Sequence, residues 1–239
     1  MLFRSPAVSQ RVSADYRARL LDAVAPTEPC EQTCDIILTT SGSTSQPKGV
    51  MHTWSAVEHA ALALQNRLGG PGHWVCALPL HTSAGFMTVA RAAIADTQVI
   101  GVASLGGACA FTPVVFANAV AQLPAGRAYT SLVPEMAQRL LGDTDGLAAL
   151  RRFDAVLLGG QSIPATLLAA LDAAGVRAVA SYGMTETCGG CVYDGAALPG
   201  VHLSIEDGRV RVTGPVVMLG YRGALPQFGD LAHRSFLTT

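Results

Sequence analysis

Strand-like apolar runs alternate with helical patterns from residue 35 to residue 181, and this alternation restricts the fold more than any other feature of the chain. The predicted strands cover Asp35–Thr40, His73–Leu78, Gln98–Ala103, Arg127–Leu132, Phe153–Leu158 and Val176–Ser181. The predicted helices cover Trp54–Leu68, Ala84–Ala95, Pro113–Leu123, Pro134–Leu141 and Pro164–Ala174. Such an order predicts an α/β fold with mostly parallel sheets and packed helices.

The two ends of the chain have different patterns. Asp15–Val24 predicts a short helix, followed by a linker. Asp207-Gly208 lies between two runs of alternating polarity and predicts a type I′ β-hairpin, with a further strand over Pro215–Leu219. The apolar face of the hairpin is predicted to consist of Leu203, Ile205, Val210 and Val212. The predicted units are residues 1–34, an α/β core over 35–200 and a β-rich end over 201–239.

Composition argues against several classes of function. Of the 239 residues 50% are hydrophobic and 14% are charged, which favours a packed core over disorder. The formal net charge of -1 argues against nucleic acid or an acidic membrane surface as a partner. Apolar stretches are broken by Gly, Pro or charges, and the first 20 residues lack a signal-peptide pattern, so we expect a cytoplasmic protein without a membrane span.

The segment Thr39–Val50, TTSGSTSQPKGV, combines hydroxyl side chains, glycines and Lys48 directly after a predicted strand. Glycines let backbone N–H groups point inward, hydroxyls donate hydrogen bonds and the lysine adds charge, which together suit a polyphosphate. It is not a Walker A loop, because Gly49 rather than Ser or Thr follows the lysine. A Ser/Thr-rich surface turn is the structural alternative.

Two further polar loops follow predicted strands, Gly159–Ser162 and Ser181–Gly190. Ligands of open parallel sheets bind beyond the carboxyl ends of the strands, so we expect all three loops to meet at one sheet edge and form one site. A separate alternative is a zinc or redox module built on Cys188 and Cys191. Zinc would need a second pair, for which Cys30 and Cys34 are the candidates.

TTSGSTSQPKGV, SYGMTETCGG, GYRG and GDL occur in the order found in adenylate-forming enzymes, and the chain resembles this acyl-CoA synthetase and AMP-binding superfamily over residues 39–231. Within it, YGMTETCGGCVYDG and LPGVHLSIEDGRVRVTGPV resemble the o-succinylbenzoate–CoA ligases of menaquinone synthesis. The resemblance implies the large N-terminal domain of these enzymes. It also implies ATP-dependent formation of an acyl-adenylate from a small carboxylate, with Mg²⁺, and transfer of the acyl group to coenzyme A.

The resemblance also implies roles for individual residues. Those implied to hold the β- and γ-phosphates are Thr40, Ser41, Gly42, Ser43, Thr44 and Lys48. Those implied to line the nucleoside are Gly160, Gln161, Ser181, Tyr182, Gly183 and Met184, with Tyr182 stacking on adenine. Thr185 would contact the α-phosphate, Glu186 would bind Mg²⁺, and Asp230 would accept hydrogen bonds from the ribose. The structural alternatives are a core aromatic for Tyr182, a solvated acid for Glu186 and a cap for Asp230.

Arg91 lies in an otherwise apolar predicted helix, where a guanidinium must find an anion or reach water. The matching arginine of the resembling ligases faces the acyl pocket, so Arg91 is implied to bind a substrate carboxylate, the alternative being a surface arginine. His81, Thr82 and Gly159 complete the implied acyl pocket. Thr82 stands where the family usually has histidine, and His81 either substitutes for it or has a structural role.

Two departures from the family bear on activity. Ser45 stands where the family usually has glycine, which would strain the loop if that position needs a positive φ. The sequence ends at Thr239, before the lysine-bearing C-terminal domain of the family, so we expect impaired adenylation and thioester formation. The alternatives are a nucleotide-binding remnant and a ligase for another aryl or fatty acid, and a homo-oligomer stays open.

Overall fold

The protein is built from three β-sheets and helices that cover both faces of the largest sheet. The computed structural model describes residues 14–27, 34–40, 47–107, 109–223 and 233–238. The strands of this part of the chain are β1 (Ile36–Thr39), β2 (Gly49–His52), β3 (His73–Cys76), β4 (Val99–Gly101), β5 (Ala128–Leu132), β6 (Ala155–Leu158), β7 (Ala178–Met184), β8 (Gly189–Tyr193), β9 (Ala196–Ala197), β10 (His202–Glu206), β11 (Arg209–Thr213), β12 (Gly220–Tyr221) and β13 (Ser235–Leu237). Its α-helices are α1 (Ala14–Val24), α2 (Trp54–Leu68), α3 (Ser83–Ile94), α4 (Pro113–Val120), α5 (Pro134–Leu141), α6 (Thr144–Leu150) and α7 (Ala165–Ala173).

The large sheet has the strand order β4-β3-β5-β6-β7-β8-β9. Its first five strands are parallel, and β8 and β9 extend it with antiparallel pairing. Two three-stranded antiparallel sheets, β1-β2-β12 and β10-β11-β13, complete the fold. The predicted α/β class with mainly parallel pairing is therefore confirmed for the central sheet.

Every residue of β6 is buried, on both faces of the sheet, which explains its continuous apolar sequence. Leu157 on β6 packs into a core with side chains of α2 and α3, whereas its neighbours Val156 and Leu158 pack into a second core with side chains of α4, α5 and α7. Successive residues of a strand point to opposite faces, so a single four-residue strand contributes to both cores.

Capping residues set the ends of α2 where the sequence predicts them. Thr53 Oγ1 accepts a hydrogen bond from the N–H of Ala56 at 3.2 Å, and Gly69 closes the helix with φ 99°. A side-chain oxygen at the first cap satisfies one of the free N–H groups, and glycine reaches the left-handed conformation without a Cβ clash. The predicted bounds of α2 and α5 are confirmed, and the other predicted helices begin and end within a few residues of their expected bounds.

The prediction that the strand before the hydroxyl loop belongs to the parallel sheet is wrong. β1 pairs with β2, which begins directly after Lys48, and β12 pairs with the other edge of β2. The hydroxyl loop is thus the connection of an antiparallel strand pair. Four-residue apolar runs contain no information about their partner strand, so the sequence pattern alone does not distinguish the two sheets.

Other differences concern the second half of the chain. The helix α6 was not predicted; it has seven residues and is capped by Asp143. Pro215–Leu219 forms no strand, although Val216 to Leu219 are buried. The hairpin is confirmed, with positive φ at both Asp207 (49°) and Gly208 (75°), as a type I′ turn requires.

The predicted apolar face of the hairpin is only partly packed among the described residues. Val212 is fully buried and lies opposite Leu203, which is 43% exposed. Ile205 is 70% exposed and lies opposite Val210. The difference arises because β11 has strands on both sides, whereas β10 is an edge strand of its sheet. Within the described ranges, no helix is long and apolar enough to cross a membrane.

Candidate functional site

One cavity of ≈ 830 Å³ brings together the three segments that the sequence analysis singles out. Its wall includes Thr40 and Lys48 from the ends of the hydroxyl loop, and Gly159, Gly160 and Gln161 from the loop after β6. It also includes all six residues from Ser181 to Glu186. The segments therefore share a site as predicted, although they come from two sheets rather than from one sheet edge. Ser41, Gly42, Ser43, Thr44, Ser45 and Asp230 lie outside the described residues.

The two ends of the hydroxyl loop are joined to each other. The N–H of Thr40 donates to the carbonyl of Lys48 at 3.0 Å, and the N–H of Lys48 donates to Thr40 Oγ1 at 3.0 Å. Thr39 Oγ1 donates to the carbonyl of His81 at 3.2 Å and so ties the base of the loop to the segment before α3. These bonds fix the point from which the exposed Lys48 side chain reaches the cavity.

The segment predicted as a loop over 181–190 is ordered secondary structure, which corrects the sequence analysis. β7 continues to Met184, Thr185–Thr187 forms a 3₁₀ turn, and β8 returns antiparallel to β7. Gly183 permits this close return, because a Cβ there would lie 2.0 Å from the carbonyl oxygen of Gly189. The result is a tight hairpin whose turn presents Thr185 and Glu186 to the cavity.

The 3₁₀ turn is held from behind by β2. His52 is fully buried on β2, and its Nε2 bonds the carbonyl oxygen of Thr185 at 2.8 Å. A carbonyl can only accept, so Nε2 carries the proton and donates, while Nδ1 is a buried nitrogen without a partner. Burial is the main cause that lowers the pKa of His52 from 6.5 to about 4; the Thr185 bond opposes this shift, and the Arg234 guanidinium adds a smaller lowering effect.

Glu186 is fixed by the segment that leads into β12. The N–H of Met218 donates to the backbone carbonyl of Glu186 at 2.9 Å, and the Tyr221 hydroxyl donates to Glu186 Oε1 at 2.8 Å. Lys48 Nζ lies over the ring of the same tyrosine, 4.7 Å from its centroid. Burial and the Glu186 carboxylate both raise the pKa of Tyr221. Its hydroxyl is therefore protonated at neutral pH and can donate the hydrogen bond to Glu186.

Tyr182 and Arg91 occupy different parts of the cavity wall. Tyr182 is 43% exposed, so it is not a core aromatic, and its ring is open to a ligand. Arg91 is 5% exposed, which excludes the alternative of a surface arginine. Its Nη2 donates to the Tyr193 hydroxyl at 3.3 Å, its guanidinium carbon lies 5.3 Å from the centroid of the Trp74 ring, and its Nε has no partner. Arg91 is therefore a buried cation at the cavity wall with an unused donor.

Thr82 caps α3 at the cavity wall, whereas His81 lies outside that wall. Thr82 lines the cavity, but its hydroxyl donates to the carbonyl of Pro79 at 2.7 Å and accepts from the N–H of Gly85 at 3.2 Å, which makes it the cap of α3. His81 is half-buried and is not among the described residues that line the cavity. The threonine at this position is explained by capping geometry, which the sequence analysis did not consider.

Cys188 and Cys191 are buried thiols rather than exposed ligands. Both side chains are 0% exposed, and Cys188 Sγ lies 3.8 Å from Met87 Sδ. Burial raises the pKa of the Cys188 thiol to about 12 and also raises the pKa of Cys191, so neither thiolate forms readily near neutral pH. Cys30 lies outside the described residues, within which no group of three His, Cys, Asp or Glu side chains could hold a metal.

Several residues of the site were missed by the sequence analysis. Tyr193 contacts Arg91, Tyr221 contacts Glu186, and His52 holds Thr185. Tyr221 was visible only as part of the GYRG motif and Tyr193 only as part of YGMTETCGGCVYDG, whereas His52 had no sequence signal. Phe236 and Thr238, at the end of the chain, also line the cavity.

Comparisons with known proteins show the family to which the chain is similar. Residues 4–222 match the AMP-binding enzyme family. A protein of Mycobacterium tuberculosis named probable 2-succinylbenzoate–CoA ligase is 41% identical over 204 residues, 85% of this chain and 52% of that protein. The 2-succinylbenzoate–CoA ligase of Escherichia coli (strain K12) is 30% identical over 213 residues, 82% of this chain and 41% of that protein. The chain thus spans about half the length of these curated relatives.

The likeness to solved structures concerns the fold. The o-succinylbenzoate coenzyme A synthetase of Bacillus subtilis, in complex with AMP, matches with a TM-score of 0.72 at 22% identity, over 91% of this chain and 70% of that one. The same enzyme in complex with ATP and magnesium ion matches with a TM-score of 0.69 at 23% identity, over 90% of this chain and 51% of that one. The shared fold, the convergent cavity and the match over residues 4–222 show that the chain belongs to the AMP-binding enzyme family.

Proposed function

We propose that this chain forms the nucleotide- and carboxylate-binding part of an ATP-dependent acid–thiol ligase whose carboxylate substrate is o-succinylbenzoate. The observation that carries the proposal is the position of Arg91. It is a buried cation with an unpartnered Nε, and it lines the same cavity as Thr40, Lys48 and Glu186. A site that combines polyphosphate-binding groups with a second, buried cation suits a nucleotide and an additional anionic group together.

Lys48 and Thr40 would bind the β- and γ-phosphates together with Ser41, Gly42, Ser43 and Thr44, which lie outside the described residues. Tyr182 would stack on adenine beside Gly160 and Gln161, since its ring is exposed in the cavity. Asp230 would bind the ribose. These assignments follow from the family and from the position of the described residues around one cavity.

Mg²⁺ would be held by Glu186. Its carboxylate lines the cavity, and the bond from Tyr221 occupies Oε1. Mg²⁺ is commonly bound by one or two carboxylates together with substrate phosphates, so a single acid suits it. The ion would neutralise charge on the phosphates. No other acidic side chain is among the described residues that line the cavity.

In the proposed reaction a carboxylate oxygen of the substrate attacks the α-phosphorus of ATP, and the bond to pyrophosphate breaks. Thr185 would contact the α-phosphate, and Lys48 would stabilise negative charge on the phosphates. Arg91 would bind the second carboxylate of o-succinylbenzoate and orient the first. The thiol of coenzyme A then displaces AMP and forms the thioester.

Calorimetric titration tests the proposal. We expect the purified chain to bind ATP in the presence of Mg²⁺, and to bind o-succinylbenzoate at least about tenfold more tightly than benzoate, which lacks the second carboxylate. Equal affinity for benzoate or for a fatty acid would contradict the substrate assignment. A parallel assay of pyrophosphate release distinguishes a ligase from a protein that only binds the nucleotide.

A further inference from the structure

Tyr221 contacts both charged side chains that the proposed function assigns to the phosphates and the metal. Its hydroxyl donates to Glu186 Oε1 at 2.8 Å, and the face of its ring lies 4.7 Å from Lys48 Nζ. Lys48 and Glu186 come from separate segments, the end of the hydroxyl loop and the 3₁₀ turn. One half-buried aromatic side chain therefore stands between a cation and an anion of the same cavity.

The backbone around Tyr221 is held firmly enough to fix this position. Tyr221 pairs with Val50 on β2, directly after Lys48 and Gly49. The N–H of Met218, in the same segment, donates to the backbone carbonyl of Glu186. The strand that carries Tyr221 is thus anchored both to the end of the hydroxyl loop and to the 3₁₀ turn. The position of the Tyr221 side chain between Lys48 and Glu186 is therefore defined.

The position of Tyr221 determines whether Lys48 and Glu186 can pair with each other. Both Lys48 and Glu186 are in the described part of the chain, and no ion pair joins them there. An ammonium and a carboxylate in direct contact would neutralise each other, and each would then have to be released before binding phosphate or Mg²⁺. The tyrosine hydroxyl is a neutral donor to the carboxylate, and the ring face attracts the ammonium, so both charges stay available.

We propose that Tyr221 is a positioning residue that holds Glu186 for Mg²⁺ and keeps Lys48 from pairing with it. The inference rests on the proposed function, because it assumes that Glu186 and Lys48 serve the metal and the phosphates of ATP. It assigns a role to a residue whose side chain contacts Glu186 and Lys48. The hydroxyl and the ring have separate tasks, and the hydroxyl can be removed alone or together with the ring.

The test is calorimetry of ATP binding with Mg²⁺ and with EDTA, using Tyr221→Phe and Tyr221→Leu. Tyr221→Phe keeps the ring but loses the hydroxyl bond to Glu186, so ATP affinity with Mg²⁺ should fall about tenfold while affinity in EDTA is unchanged. Tyr221→Leu also loses the ring, so affinity in EDTA should fall about threefold as well. In the double variant with Glu186→Gln, the loss from Tyr221→Phe should disappear, because the carboxylate it positions is absent.

Tyr129→Phe is the matched control, since it removes a buried hydroxyl that donates to the carbonyl of Gly70 at 3.0 Å, away from the cavity. It should leave the Mg²⁺ dependence intact. If the unaltered chain bound ATP but Tyr221→Phe showed the same Mg²⁺ dependence, the role of Tyr221 would be refuted and the proposed function would stand. Fully additive losses of ATP affinity in the double variant would also refute the role of Tyr221. Failure of the unaltered chain to bind ATP would refute the proposed function itself.

Discussion

Replacing Arg91 by methionine is expected to weaken the binding of o-succinylbenzoate by about 30-fold or more, because removing one partner of a buried charge-assisted pair costs roughly 2–5 kcal/mol. Arg91 is 5% exposed and lines the cavity, and its buried Nε is a donor without a partner. The binding of benzoate should change little, since benzoate has no second carboxylate to lose. Isothermal titration with the two acids measures the difference directly.

The substitution is suited to the test because it should leave the fold intact. The cation is buried without a carboxylate partner among the described residues, and its contacts are the Tyr193 hydroxyl and the Trp74 ring. Replacing such a buried charge by an apolar side chain of similar length is often neutral or stabilising. Thermal unfolding should therefore show that the Arg91→Met chain is folded. Isothermal titration of the same chain should show that its affinity for the dicarboxylate is lost.

Two further variants sharpen the result. Arg91→Lys keeps the charge but loses the planar fork, so it should recover only part of the affinity. Arg139→Met is the matched control, because Arg139 is a surface arginine that pairs with Glu135 at 3.2 Å and lies outside the cavity wall. Unchanged affinity for o-succinylbenzoate in the Arg91→Met chain would show that the second carboxylate is bound elsewhere or not at all.

The sequence predicts the features of this fold that depend on neighbouring residues. The limits of α2 follow from Thr53 and Gly69, and the type I′ turn follows from Asp207-Gly208. The parallel strands follow from short apolar runs between helices. In each case the determining side chains lie within a few residues of the structure they specify.

The features that the sequence does not predict join residues that are far apart in the chain. The bond from His52 to Thr185 spans 133 residues, that from Arg91 to Tyr193 spans 102, and that from Tyr221 to Glu186 spans 35. No periodicity or motif encodes such pairs, because they depend on how sheets and turns pack. The family motifs identify the segments of the site, whereas the contacts that position their side chains become visible only in the folded chain.

Lowering the pH from 7 to 4 is expected to reduce the free energy of unfolding of the wild-type chain by about 3 kcal/mol more than that of a His52→Gln variant. Burial holds the pKa of His52 at about 4 in the folded chain, against 6.5 for the exposed side chain. Between these values the unfolded chain binds more protons than the folded chain, so protonation favours unfolding. The contribution of neutral His52 is complete above about pH 6.5 and is lost as the pH falls through about 4.

Glutamine is the appropriate replacement because its amide N–H can donate to the Thr185 carbonyl, as His52 Nε2 does, but it does not titrate. Urea unfolding of both chains at several pH values between 4 and 7 measures the difference, since carboxylates that titrate in this range affect both chains alike. His202→Gln is the matched control, because His202 lies on β10 and is exposed to water. Equal pH dependence of the wild-type and His52→Gln chains would show that His52 is hydrated or protonated in the folded state. The predicted difference would instead show that His52 on β2 holds the Thr185 carbonyl through a neutral imidazole. The position of this turn, at the wall of the proposed nucleotide site, would then depend on excluding a proton from the core.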